Sequence, residues 1–233
     1  MKEKFVTNRN VELWEKLSGK FTIEIKPNTV KEYMIFVKNS HAIIYYNPVN
    51  ICEASFTHEL LHLNLDYHHF YLCSAVKRNM VSDSLFFTMF NTSMTDPLCN
   101  FIEHKMIFND YKKLGYSEDL FIMDYCEKKV NQKEIDSLVK NYKINNKINV
   151  RAAHFFVGKL GSLFGDVNTQ HDYNQIFQVF KNLDSDLYNS VANLFVESLK
   201  HDYEKADYLY NYRDIADNFH KRLINWKSNN QFT

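Results

Sequence analysis

The sequence predicts an α+β fold, mostly α: a small antiparallel sheet, then a helix carrying a histidine motif, then a C-terminal helical bundle. Three observations predict it. Gly and Pro together make 8 of 233 residues, far below their usual share of about 12%, which disfavours turn-rich barrels and sandwiches. Runs rich in β-branched and aromatic residues are confined to the first fifty positions. Beyond Asn50 the apolar residues recur at helical spacing, and no proline follows Pro97.

The elements follow in order. A short helix over residues 9–18 ends at Gly19. Runs at 21–26, 33–38 and 41–46 read as strands, with Pro27-Asn28 and Lys38-Asn39-Ser40 between them and Asn47-Pro48 after the last. Asn50 with Glu53 forms a capping-box pattern that starts a helix over 51–70. Asp96-Pro97 pairs an N-cap with proline at the first helical position, and that helix ends at Leu114-Gly115. Further helical segments are expected at 117–129, 132–143, 149–160, 172–182, 185–200 and 203–226. In the last, Leu209, Tyr212, Ala216, Phe219 and Leu223 form one apolar stripe. Gly158, Gly161 and Gly165 suit close helix packing or a bend. The chain reads as two parts, residues 1–130 and 131–233.

Composition narrows the function. Basic and acidic residues balance at 28 each, so no overall field draws the chain to nucleic acid or an anionic membrane. Lys140, Lys143, Lys147 and Arg151 alternate with Asn and Ile and read as a solvated face. No glycine-rich phosphate loop occurs. No run approaches 18 uncharged apolar residues, so no membrane span is expected. The N-terminus has no apolar leader core. With four cysteines and no C-x-x-C pairing, reduced thiols in a cytoplasm are the expectation.

Residues 58–62 read His-Glu-Leu-Leu-His. On a helix, positions i and i+4 lie about 40° apart around the axis and about 6 Å along it. Both imidazoles therefore reach one tetrahedral ion at about 2.0–2.1 Å. Glu59 falls beside them, placed to bond a metal-bound water. Two histidines and a glutamate in one apolar turn need partners that offset desolvation, and a cation supplies one.

This H-E-x-x-H pattern resembles the zincin metallopeptidases over residues 41–115. The resemblance implies a sheet whose edge strand, matched by HAIIYY at 41–46, runs along a substrate cleft. It also implies a zinc ion as cofactor, a peptide or protein substrate, and Glu59 as general base. Asn64 departs from the family's hydrophobic residue two positions past the second histidine. The third ligand separates subfamilies. His68 stands where metzincins place a third histidine, but Leu65 replaces the glycine that turns the chain back. On a continuous helix His68 then points about 240° away from His62. Gluzincins use a glutamate on a later helix. Glu103, 41 residues past His62 and within an apolar stripe, matches that role. The chain thus resembles gluzincins, including the compact minigluzincins, with His58, His62 and Glu103 as metal ligands.

Other positions remain open. His104, next to Glu103, reads as a packing or hydrogen-bonding residue and is a further candidate third ligand. Ile107 replaces the aspartate of several gluzincins, leaving Asp110 or Asp66 to support a histidine. His154, His171, Tyr111 and Tyr116 are candidate oxyanion donors. Two rival readings are a di-iron carboxylate bundle, using Glu59-x-x-His62 and Asp217-x-x-His220, and a silent scaffold that binds a protein.

Overall fold

The computed structural model describes residues 2–29, 32–205 and 212–233. In its N-terminal part, α1 (Val11–Ser18) buries Trp14 and Leu17. Three strands follow: β1 (Thr22–Pro27), β2 (Met34–Lys38) and β3 (His41–Tyr46). β2 and β3 form an antiparallel hairpin whose turn holds Asn39 at φ 56°. β1 runs parallel to β3 on its other side, so the order is β1-β3-β2 and the sheet is mixed, not antiparallel. The period-2 pattern specifies which side chains face inward but not which strand lies beside which. Placing β3 centrally covers the most apolar strand from both edges. It also means that HAIIYY is not an edge strand.

Next comes α2 (Glu53–Tyr67), which starts later than Asn50 predicts. Asn47 Oδ1 accepts from the backbone N–H groups of Val49 and Asn50. The Tyr33 hydroxyl accepts from Cys52 N and donates to Asn50 O. These bonds hold the stretch as a turn, so Cys52 becomes the N-cap and Glu53 is freed for other contacts. The helix also stops before residue 70, since His68 is its C-cap and His69 adopts φ 60°.

Beyond it lie α3 (Leu72–Met80), α4 (Ser84–Met89) and the long α5 (Thr92–Lys113). Asp96 does not cap α5, which begins four residues earlier and contains Pro97. Asn91 O accepts from the backbones of Met94 and Thr95, so the first turn is closed before the proline. Asp96 instead pairs with Lys77. Gly115, at φ 82°, ends the helix in the left-handed conformation that the sequence predicts.

Residues 117–129 form a 3-10 turn (Glu118–Leu120) and bends, not a helix. Phe121 is drawn inward against Phe108 and Tyr111, and that packing overrides helical propensity. The chain continues with α6 (Gln132–Asn141), which Asn131 and Glu134 start with a reciprocal capping box. A two-stranded hairpin, β4 (Lys143–Ile144) and β5 (Lys147–Ile148), turns through Asn145 and Asn146, both at positive φ. The remaining helices are α7 (Val150–Gly165), α8 (Asn174–Leu183), α9 (Ser185–Lys200) and α10 (Tyr212–Ser228). Ala216, Phe219 and Leu223 of the expected stripe are buried on α10. Residues 203–205 form a turn. Leu209, with the rest of 206–211, lies outside the described residues.

The chain divides into two compact units, Met1–Phe70 with Met106–Cys126, and Tyr71–Lys105 with Glu127–Thr233. In the first, Phe5, Phe56, Leu60 and Leu63 pack with Ala42, Ile44 and Tyr46 beneath the sheet. In the second, α7 meets α5 closely. A Cβ on Gly158 would come within 2.9 Å of Met94 Cε, and one on Gly161 within 2.7 Å of Leu98 Cδ1. One on Gly165 would collide with Phe101 Cβ. The three glycines therefore serve close packing.

Candidate metal centre

α2 is buried on nearly every side, from Ala54 to Leu65, so its orientation is set by contacts around its whole circumference. Its first turn is held by a polar network. Thr57 Oγ1 accepts from Asn10 Nδ2 at 2.7 Å and lies 2.9 Å from Glu53 O and 3.0 Å from the Tyr116 hydroxyl. Glu53 accepts from the hydroxyls of Thr7 and Tyr116. Burial, with the bond to Glu53, pushes the Tyr116 phenol well above its ordinary value and keeps it neutral. Near the other end, Lys16 Nζ donates to Asn64 Oδ1 at 2.9 Å and sits over the Tyr67 ring. The motif thus lies on a helix fixed at both ends.

His58 and His62 lie one turn apart, as their spacing requires, with their Nε2 atoms 3.1 Å apart. The Phe121 ring packs 4.6 Å from His58, centre to centre. His104 on α5 completes the group. One ligand nitrogen from each of His58, His62 and His104 lies within 4.8 Å of the other two. His58 and His104 are buried and His62 is partly so. Tetrahedral coordination at about 2.0–2.1 Å separates ligand nitrogens by about 3.3 Å. The His58–His62 separation is close to that, and imidazole suits a transition metal. The three histidines are thus close enough to hold a metal ion, and the donor set fits one. Glu59, only 7% exposed, follows His58 directly.

The other expected residues fall as follows. Glu103 is half-buried on α5, one position before His104, and is not a member of the three-residue group. Its charge acts on the Cys99 thiol, which its hydrogen bond to Cys73 and burial push up most strongly. His68 contacts Lys16 Nζ at 3.0 Å and His69 contacts Lys20 Nζ at 3.2 Å, so neither joins the group. Asp110 pairs with Lys113, and Asp66 is half-buried on α2. Among the oxyanion candidates, Tyr116 donates to Glu53, His154 Nδ1 bonds Met89 O, and His171 Nδ1 bonds Asp166. The fully buried Tyr111 hydroxyl has no hydrogen-bond partner among the described residues. Burial also raises its pKa strongly. Its ring packs on Phe121, which itself packs on His58.

The second Asp-x-x-His element of the di-iron reading lies on α10. Asp217 accepts from Asn79, His220 packs on Phe86, and neither belongs to a group of three metal-binding side chains among the described residues. No helix among those residues is long and apolar enough to cross a membrane. The sequence favours Glu103 over His104 because a glutamate on a later helix matches the gluzincin pattern and Glu103 falls within the apolar stripe, from which His104 is turned by about 100°. Phe121 left no signal, because its segment reads as helix. Comparisons with protein-family models, curated proteins and solved structures return no match.

Proposed function

We propose that the chain is a zinc-dependent hydrolase of zincin type that cleaves peptide bonds in a peptide or protein substrate. His58, His62 and His104 would hold the ion, and Glu59 would act as general base. The observation that supports this is the convergence of three imidazole nitrogens within 4.8 Å beside a buried glutamate. Zinc, when bound, supplies Lewis acidity and water activation near neutral pH. Glu59 takes a proton from the attacking water and returns it to the leaving amine nitrogen. Phe121 excludes water from one side of His58. His104 replaces Glu103 as third ligand in this reading, which sets it apart from the gluzincin pattern. The balanced charge and free cysteines support a cytoplasmic protein that binds neither nucleic acid nor membrane.

The central place of β3 favours a second reading, because the resemblance needs that strand as an edge for substrate. In that reading the metal is structural and the chain binds a protein without cleaving it. The test is Glu59→Gln assayed on a fluorogenic peptide library. The hydrolase reading expects unchanged zinc content and turnover lower by about 10²-fold or more. Zinc-loaded wild type that cleaves no peptide in the library supports the second reading instead.

A further inference from the structure

We infer that β2 is a self-pairing edge, through which two copies of this chain join their sheets across a two-fold axis. Among the described residues no backbone other than that of β3 pairs with β2. An exposed edge of this kind templates another strand unless it is protected. Protection is slight here: Met34 and Phe36 are 41% and 58% exposed, and both lie on the face away from the core. The register across β3 sets that face, pairing Met34 with Tyr45 and Phe36 with Ile43.

The strand is complementary to itself. Antiparallel pairing centred on Ile35 sets Ile35 opposite Ile35 of the second copy. Met34 then faces Phe36 on one side of the sheet, and Phe36 faces Met34. One step further, Glu32 comes opposite Lys38 at both ends, giving two symmetric attractive pairs. Centring on Phe36 would set Met34 against Lys38 and leave Glu32 without a basic partner. Only the Ile35-centred alignment matches apolar with apolar and acid with base. A two-fold axis makes the contact isologous and closes it at two copies. Val49, 94% exposed, and Ile51 follow β3. The Tyr33 hydroxyl, bonded to Asn50 and Cys52, ties their segment to the start of β2.

The inference is independent of the metal centre, and the test uses the full chain. Sedimentation velocity over a concentration series should show a monomer–dimer equilibrium. Phe36→Lys, checked for folding by circular dichroism, and Lys38→Glu should each weaken dimerisation about 10-fold or more, the second by setting Glu32 against an acid. The double variant Glu32→Lys/Lys38→Glu restores both pairs and should return the constant to near wild type. Three results would each overturn the inference: a wild type monomeric up to about 500 μM, a dimer indifferent to either single change, or a double variant as weak as Lys38→Glu.

Discussion

Replacing Thr57 by valine tests how α2 is held, because it removes one hydroxyl and keeps the branched shape. Thr57 is fully buried, and its hydroxyl joins Asn10, Glu53 and Tyr116. In the variant Asn10 Nδ2 keeps Phe5 O but loses its 2.7 Å acceptor, so one N–H is buried without a partner. That costs about 1–3 kcal/mol. The added methyl offsets about 0.8 kcal/mol at most. Tyr116 retains Glu53, so no second penalty arises. With a cost of about 2–3 kcal/mol for this fully buried donor, the net loss is about 1–2 kcal/mol. At about 2–4 °C per kcal/mol for a chain of this size, the melting temperature falls by about 2–8 °C. Thr57→Ser keeps the hydroxyl and loses a buried methyl, about 1 kcal/mol. Urea melts followed by circular dichroism measure both. A valine variant as stable as wild type would refute the network's role in fixing the helix.

Four further outcomes are expected. Gly165→Ala drives a methyl into the Cβ of Phe101 and should destabilise by about 1–3 kcal/mol. Gly158→Ala meets only the flexible tip of Met94 and should be near neutral, helped by about 1 kcal/mol of helix propensity; thermal melts of the pair compare them directly. Burial alone raises the Glu134 carboxyl, but Lys159 and the Asn131 N–H hold it below its usual 4.5. Its stabilisation is therefore present above pH 4.5 and lost as pH falls through the lowered value. The gap in melting temperature between wild type and Glu134→Gln should be open near neutrality and close in acid. For Glu59→Gln, zinc retention with turnover lost separates a base from a ligand.

Much of this is legible in the sequence. Alternation located the strands of β2 and β3, and the i, i+4 histidines placed two imidazoles beside one another on a helix. Gly115 announced the end of α5 because a left-handed residue was needed there. What was not legible lies in contacts between distant residues. Period-2 patterning carries no strand order, so it does not reveal the parallel β1–β3 pairing. Tyr33, 19 positions before Cys52, displaced the start of α2, and cap chemistry read from neighbours alone favoured Asn50. Asp96-Pro97 looked like a helix start because its local preferences match one. The Asn91 carbonyl and the Lys77 pairing placed it inside α5 instead. Glu103 and His104 differ by one position on that helix, and only their placement in space tells which joins His58 and His62.

The most direct test of the metal centre is zinc affinity, measured by competition with a chromophoric chelator for wild type, His104→Ala and Glu103→Ala. Loss of one of three protein ligands weakens a site more than loss of a supporting contact, which costs about 10–100-fold. The three-histidine centre predicts about one zinc per wild-type chain, more than about 100-fold weaker binding in His104→Ala, and near-wild-type binding in Glu103→Ala. The reverse order, with Glu103→Ala losing the metal and His104→Ala keeping it, would contradict the proposed ligand set, and a folded wild type that takes up no zinc would contradict the centre itself.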